Sequence, residues 1–260
     1  NWIFSYELPF ERIDSMYLTE MLQLYWQHTI SVSIVYYILI RFIQWYMRNK
    51  KGFELRYPLI IWNTALALFS VLGLVRFGEE YFASLFNRGL YNTICATCNR
   101  DGVPGSWCFI FIMSKFVEMG DTMFIVLRKK PLIFLHYYHH VVVLIYAVHS
   151  GAEHATPGRT FIIMNLFAHS IMYSYYTARA IGYRPPIFVA ATITILQTVQ
   201  MIIGVLVSVG VYYIKSAYNW RCQQSFPNLY LGFFIYATFA SLFIQFFVAR
   251  YIRLKNKHTK

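Results

Sequence analysis

Seven stretches of the chain are dominated by apolar residues, and each is long enough, as a helix, to cross the roughly 30 Å of a bilayer's hydrocarbon. They run from Leu22 to Trp45, Leu59 to Val75, Trp107 to Leu127, Leu132 to Val148, Phe161 to Ala178, Ile187 to Tyr213 and Leu229 to Ala249. In lipid only helices and closed barrels satisfy their own backbone groups, and runs of this length read as helices. The pattern therefore predicts an all-α, polytopic membrane protein with seven transmembrane helices. No internal repeat, low-complexity segment or linker divides the chain, so residues 1–260 read as one integral membrane domain. An odd number of spans places the two ends on opposite sides of the bilayer.

Polar interruptions of these stretches fall at helical spacing. An ionised side chain at the bilayer centre costs about 2.5 to 3.5 kcal/mol, yet the third stretch carries Lys115, Glu118 and Asp121 at intervals of three. That spacing sets opposite charges on neighbouring positions of one stripe, where they offset each other, with Thr122 extending the same face. The fourth stretch opens on an HxxHH box, His136, His139 and His140, whose three imidazoles share one helix face. The fifth contributes Asn165 and His169, then Tyr173 and Tyr176 further along the stripe, and the sixth contributes Thr194, Gln197 and Gln200.

Depth separates a site from scattered polar residues. Counting 1.5 Å per residue from the basic residues that end each stretch, Asp121, Glu118 and Lys115 lie roughly 10, 15 and 20 Å deep. On the same count His139 lies roughly 10 Å deep, His169 about 15 Å and Gln197 about 17 Å. Four helices thus bring polar stripes to one level, which reads as a single polar chamber in one half of the bundle. Asn165, Thr194 or Gln200 alone reads equally well as an interhelical hydrogen bond; three clustered histidines do not. His28, His149, His154 and His258 read as interface, loop or tail residues, and Tyr173, Tyr175 and Tyr176 also fit an aromatic belt.

Composition and charge sharpen this picture. The chain is 58% hydrophobic and only 13% charged, where a soluble domain needs roughly 25% charged residues to cover its surface. A net charge of +12 fits nucleic-acid binding in principle, but the basic residues sit in short clusters between apolar stretches, the positive-inside arrangement of a membrane protein. With the N-terminus lumenal, fifteen of the 23 Lys and Arg face the cytosol with Glu54 as the only acid, a face of +14 against −1 across the membrane. Cys95, Cys98 and Cys222 fall in lumenal loops on that topology, and an oxidising compartment permits Cys222 to pair with either of the others. Cys108 heads the third stretch.

These residues resemble the ELO-type fatty acid elongases. The matching motifs are KxxExxDT at Lys115 to Thr122, LRKKP at Leu127 to Pro131, LHxxHH at Leu135 to His140, NxxxHxxMYxYY at Asn165 to Tyr176 and TxxQxxQ at Thr194 to Gln200. The resemblance implies six helices enclosing an acyl tunnel, open to the cytosol and closed at the lumen, with one peripheral span. It implies a very-long-chain 3-oxoacyl-CoA synthase of the endoplasmic reticulum membrane that converts acyl-CoA and malonyl-CoA into 3-oxoacyl-CoA, CO2 and CoA. No metal or cofactor enters that reaction. In line with the family, His139 is the expected nucleophile, forming an acyl-imidazole. His169 is expected to stabilise the oxyanion or enolate with Asn165 orienting it, His136 and His140 to hold or protonate reacting groups, and Glu118 and Asp121 to set imidazole tautomers. Lys115, Arg128, Lys130, Tyr175, Thr194, Gln197 and Arg250 are the candidates for the CoA arm. Expected partners are acyl-CoA, malonyl-CoA and the bilayer, with a second copy and the other enzymes of the elongation cycle as further candidates and no nucleic acid. The tail departs from the family in one respect, since Lys257 and Lys260 do not stand at the offsets of its lysine retrieval signal.

Two other classes share some of these features. Membrane di-iron desaturases and hydroxylases also use HxxHH boxes, but two irons need roughly eight imidazoles, and only four of the eight histidines here lie at the polar level. A seven-helix receptor or carrier has no need of three co-facial histidines beside a cationic face. Acyl chain length, saturation and branching are set by tunnel depth, where each methylene is worth about 1 to 3 kcal/mol of discrimination, and sequence motifs do not resolve it.

Overall fold

The structure, a computed structural model, describes residues 6–13, 15–96, 102–218 and 220–252. Asp14, Cys98, Asp101, His258 and the tail lysines and Arg253 lie outside those residues. Among the described residues all regular structure is helical, and helices occupy each of the seven apolar stretches. They are α1 (Ser15–Tyr25), α2 (His28–Tyr46), α3 (Arg56–Cys95), α4 (Val103–Glu118), α5 (Asp121–Leu127), α6 (Phe134–Ala152), α7 (Gly158–Ile181), α8 (Ile187–Ser216) and α9 (Phe226–Phe247), the last running into a π-helical turn at Val248–Ile252.

Three of the expected stretches have different bounds. The first divides into α1 and α2 at Trp26 and Gln27, where the Thr29 hydroxyl bonds back to the Trp26 carbonyl at 2.6 Å. The second was expected to end at Val75, before Arg76, Glu79 and Glu80, but α3 continues for five more turns. Its charges are matched rather than left to end the helix: Arg76 pairs with Glu11 at 2.5 Å and Glu80 with Arg159 at 2.6 Å. Gly89, at φ 77°, bends α3 near its end, a conformation that a Cβ would strain. The third breaks between α4 and α5, where Gly120 and Met123 amides bond three residues back, to Val117 and Gly120, and tighten the chain. Gly120 is required there, because a Cβ would stand 2.8 Å from the Trp62 ring.

Neighbouring helices close a ring. α4 packs on α6, α6 on α9, α9 on α8, α8 on α7, α7 on α3 and α3 on α4, while α2 lies outside against α5 and α6, and α1 lies across α4 and α6. Among the described residues four helices are long and apolar enough to cross a membrane, namely α2, α3, α8 and α9 with its π-turn. α2 turns Ile34, Val35, Ile38 and Phe42 outward, and α8 turns Ile195, Val199 and Leu206 outward. Apolar faces of that extent need lipid, and the chain is a multi-pass membrane protein. α4, α6 and α7 carry polar stripes, and Lys115, Glu118, His140, Asn165 and His169 are buried.

The ring has two chemically distinct ends. At one, Arg56 binds the Ala180 and Ile181 carbonyls and Lys129 binds those of Arg48 and Lys50, so three basic connections meet. At the other, a Cys95–Cys222 disulfide ties α3 to the α8–α9 loop, which settles the open pairing.

The disulfide end also carries a clamp on the N-terminal segment. Glu11 is fully buried, receives hydrogen bonds from Arg76 and from Trp107 Nε1 at 2.7 Å, and its carbonyl accepts from Ser106. Burial raises its pKa, but the donors from Arg76, Trp107 and the Leu8 amide outweigh that and hold it at about 2 against an ordinary 4.5. A depressed carboxylate pKa contributes stability that is full above the unfolded value and is lost as pH falls toward the folded one. The melting temperature of the detergent-solubilised protein should therefore exceed that of Glu11→Gln at pH 6, and the gap should close as pH falls from about 4.5 toward 2. A gap independent of pH refutes the clamp.

Candidate functional site

α6 begins with three imidazoles that meet three different environments. His136 Nε2 lies 3.0 Å from Thr122 Oγ1, which in turn bonds the Tyr36 hydroxyl of α2. His140 stacks edge-on to both neighbours, at 4.6 Å from His136 and 5.5 Å from His139. His139 lies 5.0 Å from the Phe239 ring of α9. The 0, 3, 4 spacing thus does give one face, but a face that fans from the peripheral helix to the ring's interior.

α4 and α7 build the second half of the cluster. Lys115 and Glu118 pair at 2.6 Å with only 3% and 2% exposure, and Ser114 adds a hydrogen bond to the same carboxylate oxygen at 3.0 Å. Lys115 Nζ also donates to Asn165 Oδ1 at 2.9 Å, which turns the amide so that Asn165 Nδ2 faces His169 Nε2 at 3.2 Å. Nε2 of His169 then accepts and its proton sits on Nδ1, 3.8 Å from Glu118 Oε1. A buried cation therefore fixes an imidazole tautomer through one amide.

Two cavities meet at this cluster. A larger one, about 730 Å3, is lined by Asp121, His136, His140, Asn165, His169 and His139 together with the basic side chains Arg128, Lys130, Arg179 and Arg250. A smaller one, about 180 Å3, is lined mainly by apolar residues such as Phe109, Ile112, Val143, Ile162, Ile235 and Phe239 and reaches toward the disulfide end. His139, Asn165, Gln200 and Met201 line both. An amphipathic ligand with an anionic head and a greasy tail fits this pair, with its junction at His139.

The expected site residues divide accordingly. Arg128, Lys130, Tyr175, Thr194, Gln197 and Arg250 line the larger cavity. Lys115 does not, because its ammonium is consumed by Glu118 and Asn165, so it is placed as a positioning residue rather than a contact for the CoA arm. Glu118 likewise stands behind His169. Asp121 lines the cavity but meets no imidazole: Trp62 Nε1 donates to one oxygen at 2.5 Å and the Tyr173 hydroxyl to the other at 2.7 Å. The break after Glu118 turns it away from the stripe on which the sequence set it. Arg179 and Tyr251 line the cavity and were not singled out, although Arg179 continues the Asn165, His169, Tyr176 stripe of α7. Among the described residues no three His, Cys, Asp or Glu side chains are grouped as a metal ion needs.

The chain is similar to known proteins over nearly all its length. The family model described as ELO, GNS1/SUR4 family, matches residues 21–259. A Caenorhabditis elegans protein provisionally named fatty acid elongase 4 is 54% identical over 258 residues, covering 99% of this chain and 89% of its own. Very long chain fatty acid elongase 6 of Drosophila melanogaster is 43% identical over 221 residues, 84% of this chain and 70% of its own. Human very long chain fatty acid elongase 3 is 40% identical over 238 residues, 90% of this chain and 86% of its own.

Proposed function

The chain belongs to the ELO (GNS1/SUR4) family and is an enzyme of fatty acid elongation, and on that premise we propose that it condenses a long acyl-CoA with malonyl-CoA to give 3-oxoacyl-CoA, CO2 and CoA. The carrying observation is the position of His139 between a cavity lined by cationic side chains and an apolar one. The CoA phosphates are anions and belong beside Arg128, Lys130, Arg179 and Arg250; the acyl tail belongs in the apolar cavity; the thioester then lies at the junction.

His139 attacks the thioester carbonyl, the C–S bond breaks, and CoA leaves as its thiol with the proton given up by the imidazole. The acyl-imidazole that remains hydrolyses readily in water, so the apolar cavity protects it. Malonyl-CoA then enters the larger cavity, and its carboxylate leaves as CO2. The electron pair of the broken C–C bond becomes an enolate, which attacks the acyl carbon; the C–N bond to His139 breaks, and the departing imidazole takes up from solvent in the larger cavity the one proton that the net reaction consumes, which restores its N–H. The second Nδ2–H of Asn165, beside that junction, is the donor for the enolate and oxyanion, and His169 holds that amide in place by accepting its other N–H.

The same reading gives the topology. Seven helical segments cross the membrane, six of them forming the ring around the tunnel and α2 standing outside. The disulfide belongs in an oxidising lumen and the basic end in the cytosol, where both CoA substrates are, which puts the protein in the endoplasmic reticulum with its C-terminus cytosolic. Purified protein given acyl-CoA and malonyl-CoA carrying label in the carbons it donates should yield labelled 3-oxoacyl-CoA two carbons longer, without added metal or reductant. Label that stays in malonyl-CoA or appears only in acetyl-CoA rejects condensation.

A further inference from the structure

The far end of the apolar cavity is not apolar. Thr19, Ser150, His154, Thr156 and Arg159 line it there, and each is held by a neighbour, Arg159 with one N–H left over. Thr19 Oγ1 and His154 Nε2 are 2.9 Å apart, Ser150 Oγ accepts from Asn228 at 3.1 Å, and the Thr156 hydroxyl donates to the Gln223 carbonyl at 3.3 Å. Arg159 is 4% exposed. Its Nη2 donates to both Glu80 oxygens, at 2.8 and 2.6 Å, and its Nη1 reaches the Ala96 carbonyl at 3.5 Å. Its Nε–H has no partner among the described residues.

A buried donor on a charged group is costly to leave unmade. A methyl-ended acyl chain that fills the cavity excludes water from Arg159 and leaves that cost in place. A chain ending in a hydroxyl removes it: the oxygen accepts from Nε–H, and its own proton has the Ser150 and Thr156 oxygens on the same wall. We propose that this enzyme prefers an acyl-CoA bearing a hydroxyl at the end remote from the thioester over the methyl-ended chain of equal length, with Arg159 as the residue that recognises it. The inference rests on the reading that the apolar cavity holds the acyl tail. The chemistry at His139 is unchanged.

The position of Arg159 makes the preference length-dependent. From His139 to Ser150 is eleven residues of α6, about 16 Å at 1.5 Å per residue, so only a chain spanning that distance brings its hydroxyl to the collar. The test measures kcat/KM for matched pairs of acyl-CoAs, with and without the terminal hydroxyl, over a ladder of chain lengths with the full-length protein. The ratio should rise above one, to roughly tenfold as one charge-assisted hydrogen bond gives, at a single length and fall to either side. Arg159→Lys keeps a cation for Glu80 but removes Nε, and the peak should vanish. Methyl-ended chains elongated at every length and never surpassed by their hydroxylated partners overturn the inference and leave the condensation reading standing, whereas no elongation of either series overturns both. The wild-type ladder decides the matter by itself should the lysine variant not fold.

Discussion

Replacing His139 with alanine should leave a folded protein that no longer makes 3-oxoacyl-CoA, with a loss of roughly four orders of magnitude or more, as removal of a nucleophile produces elsewhere. Folding should survive because the ring of His139 contacts Phe239 and borders both cavities, so the substitution enlarges a space that is already open instead of emptying a packed core. A covalent step adds a sharper readout than rate. Acyl-CoA supplied without malonyl-CoA should leave an acyl group on the wild-type protein, visible as a mass increase and mapped to α6, and His139→Ala should carry none. His136→Ala is the control: its imidazole is committed to Thr122 and through it to Tyr36, so it should slow turnover yet still accumulate the adduct. An adduct of undiminished yield on His139→Ala moves the nucleophile to another residue, whereas a wild-type protein that turns over but carries no adduct removes the covalent step in favour of a ternary mechanism with both CoA esters bound together.

The sequence made the helical plan readable because lipid leaves few alternatives. A run such as Ile187 to Tyr213 has no other way to satisfy its backbone, and α8 occupies it with three residues to spare. What periodicity does not carry is where a helix stops when its charges find partners elsewhere. Nothing near Arg76 announces that Glu11, 65 residues away, neutralises it and lets α3 continue. The stripe logic worked for Asn165, His169, Thr194 and Gln197 because α7 and α8 are regular through those positions, and all four line the larger cavity. It misplaced Asp121 because a glycine seat for Trp62 breaks the helix one residue earlier.

Depth counting had a related limit. It set Lys115 at the level of the chamber, and it is there, but counting along an axis does not say whether an ammonium points at a ligand or at a neighbouring helix. The Asn165 amide takes one of its protons and Glu118 another. Cys95 and Cys98 were equivalent partners for Cys222 by spacing, and only the fold of the α8–α9 loop over the end of α3 distinguishes them. Arg179 was legible in principle as the next turn of the α7 stripe, yet the cluster of basic residues around it reads first as a topology signal.

The buried pair Lys115–Glu118 should separate stability from catalysis more cleanly than any single site residue. Lys115→Met leaves a carboxylate at 2% exposure with Ser114 as its remaining donor, and stranding one member of a buried ion pair costs about 3 to 5 kcal/mol. Lys115→Met combined with Glu118→Met removes both charges at similar volume, and such replacements are commonly neutral, so most of the lost thermal stability should return. Activity should not return with it. Without the ammonium, nothing holds Asn165 Oδ1 away from His169, the amide is free to turn, and the imidazole loses the acceptor bond at Nε2 that keeps its proton on Nδ1. The double variant should therefore melt close to wild type and bind acyl-CoA, while its kcat stays depressed by roughly 10² to 10⁴, the range that a displaced proton-transfer group or oxyanion donor accounts for. Binding of acyl-CoA that is intact while turnover is lost is the signature of positioning, since Lys115 lines neither cavity. Recovery of turnover in step with the melting temperature shows instead that the pair only supports packing, and that the tautomer of His169 is set by something other than this chain of hydrogen bonds.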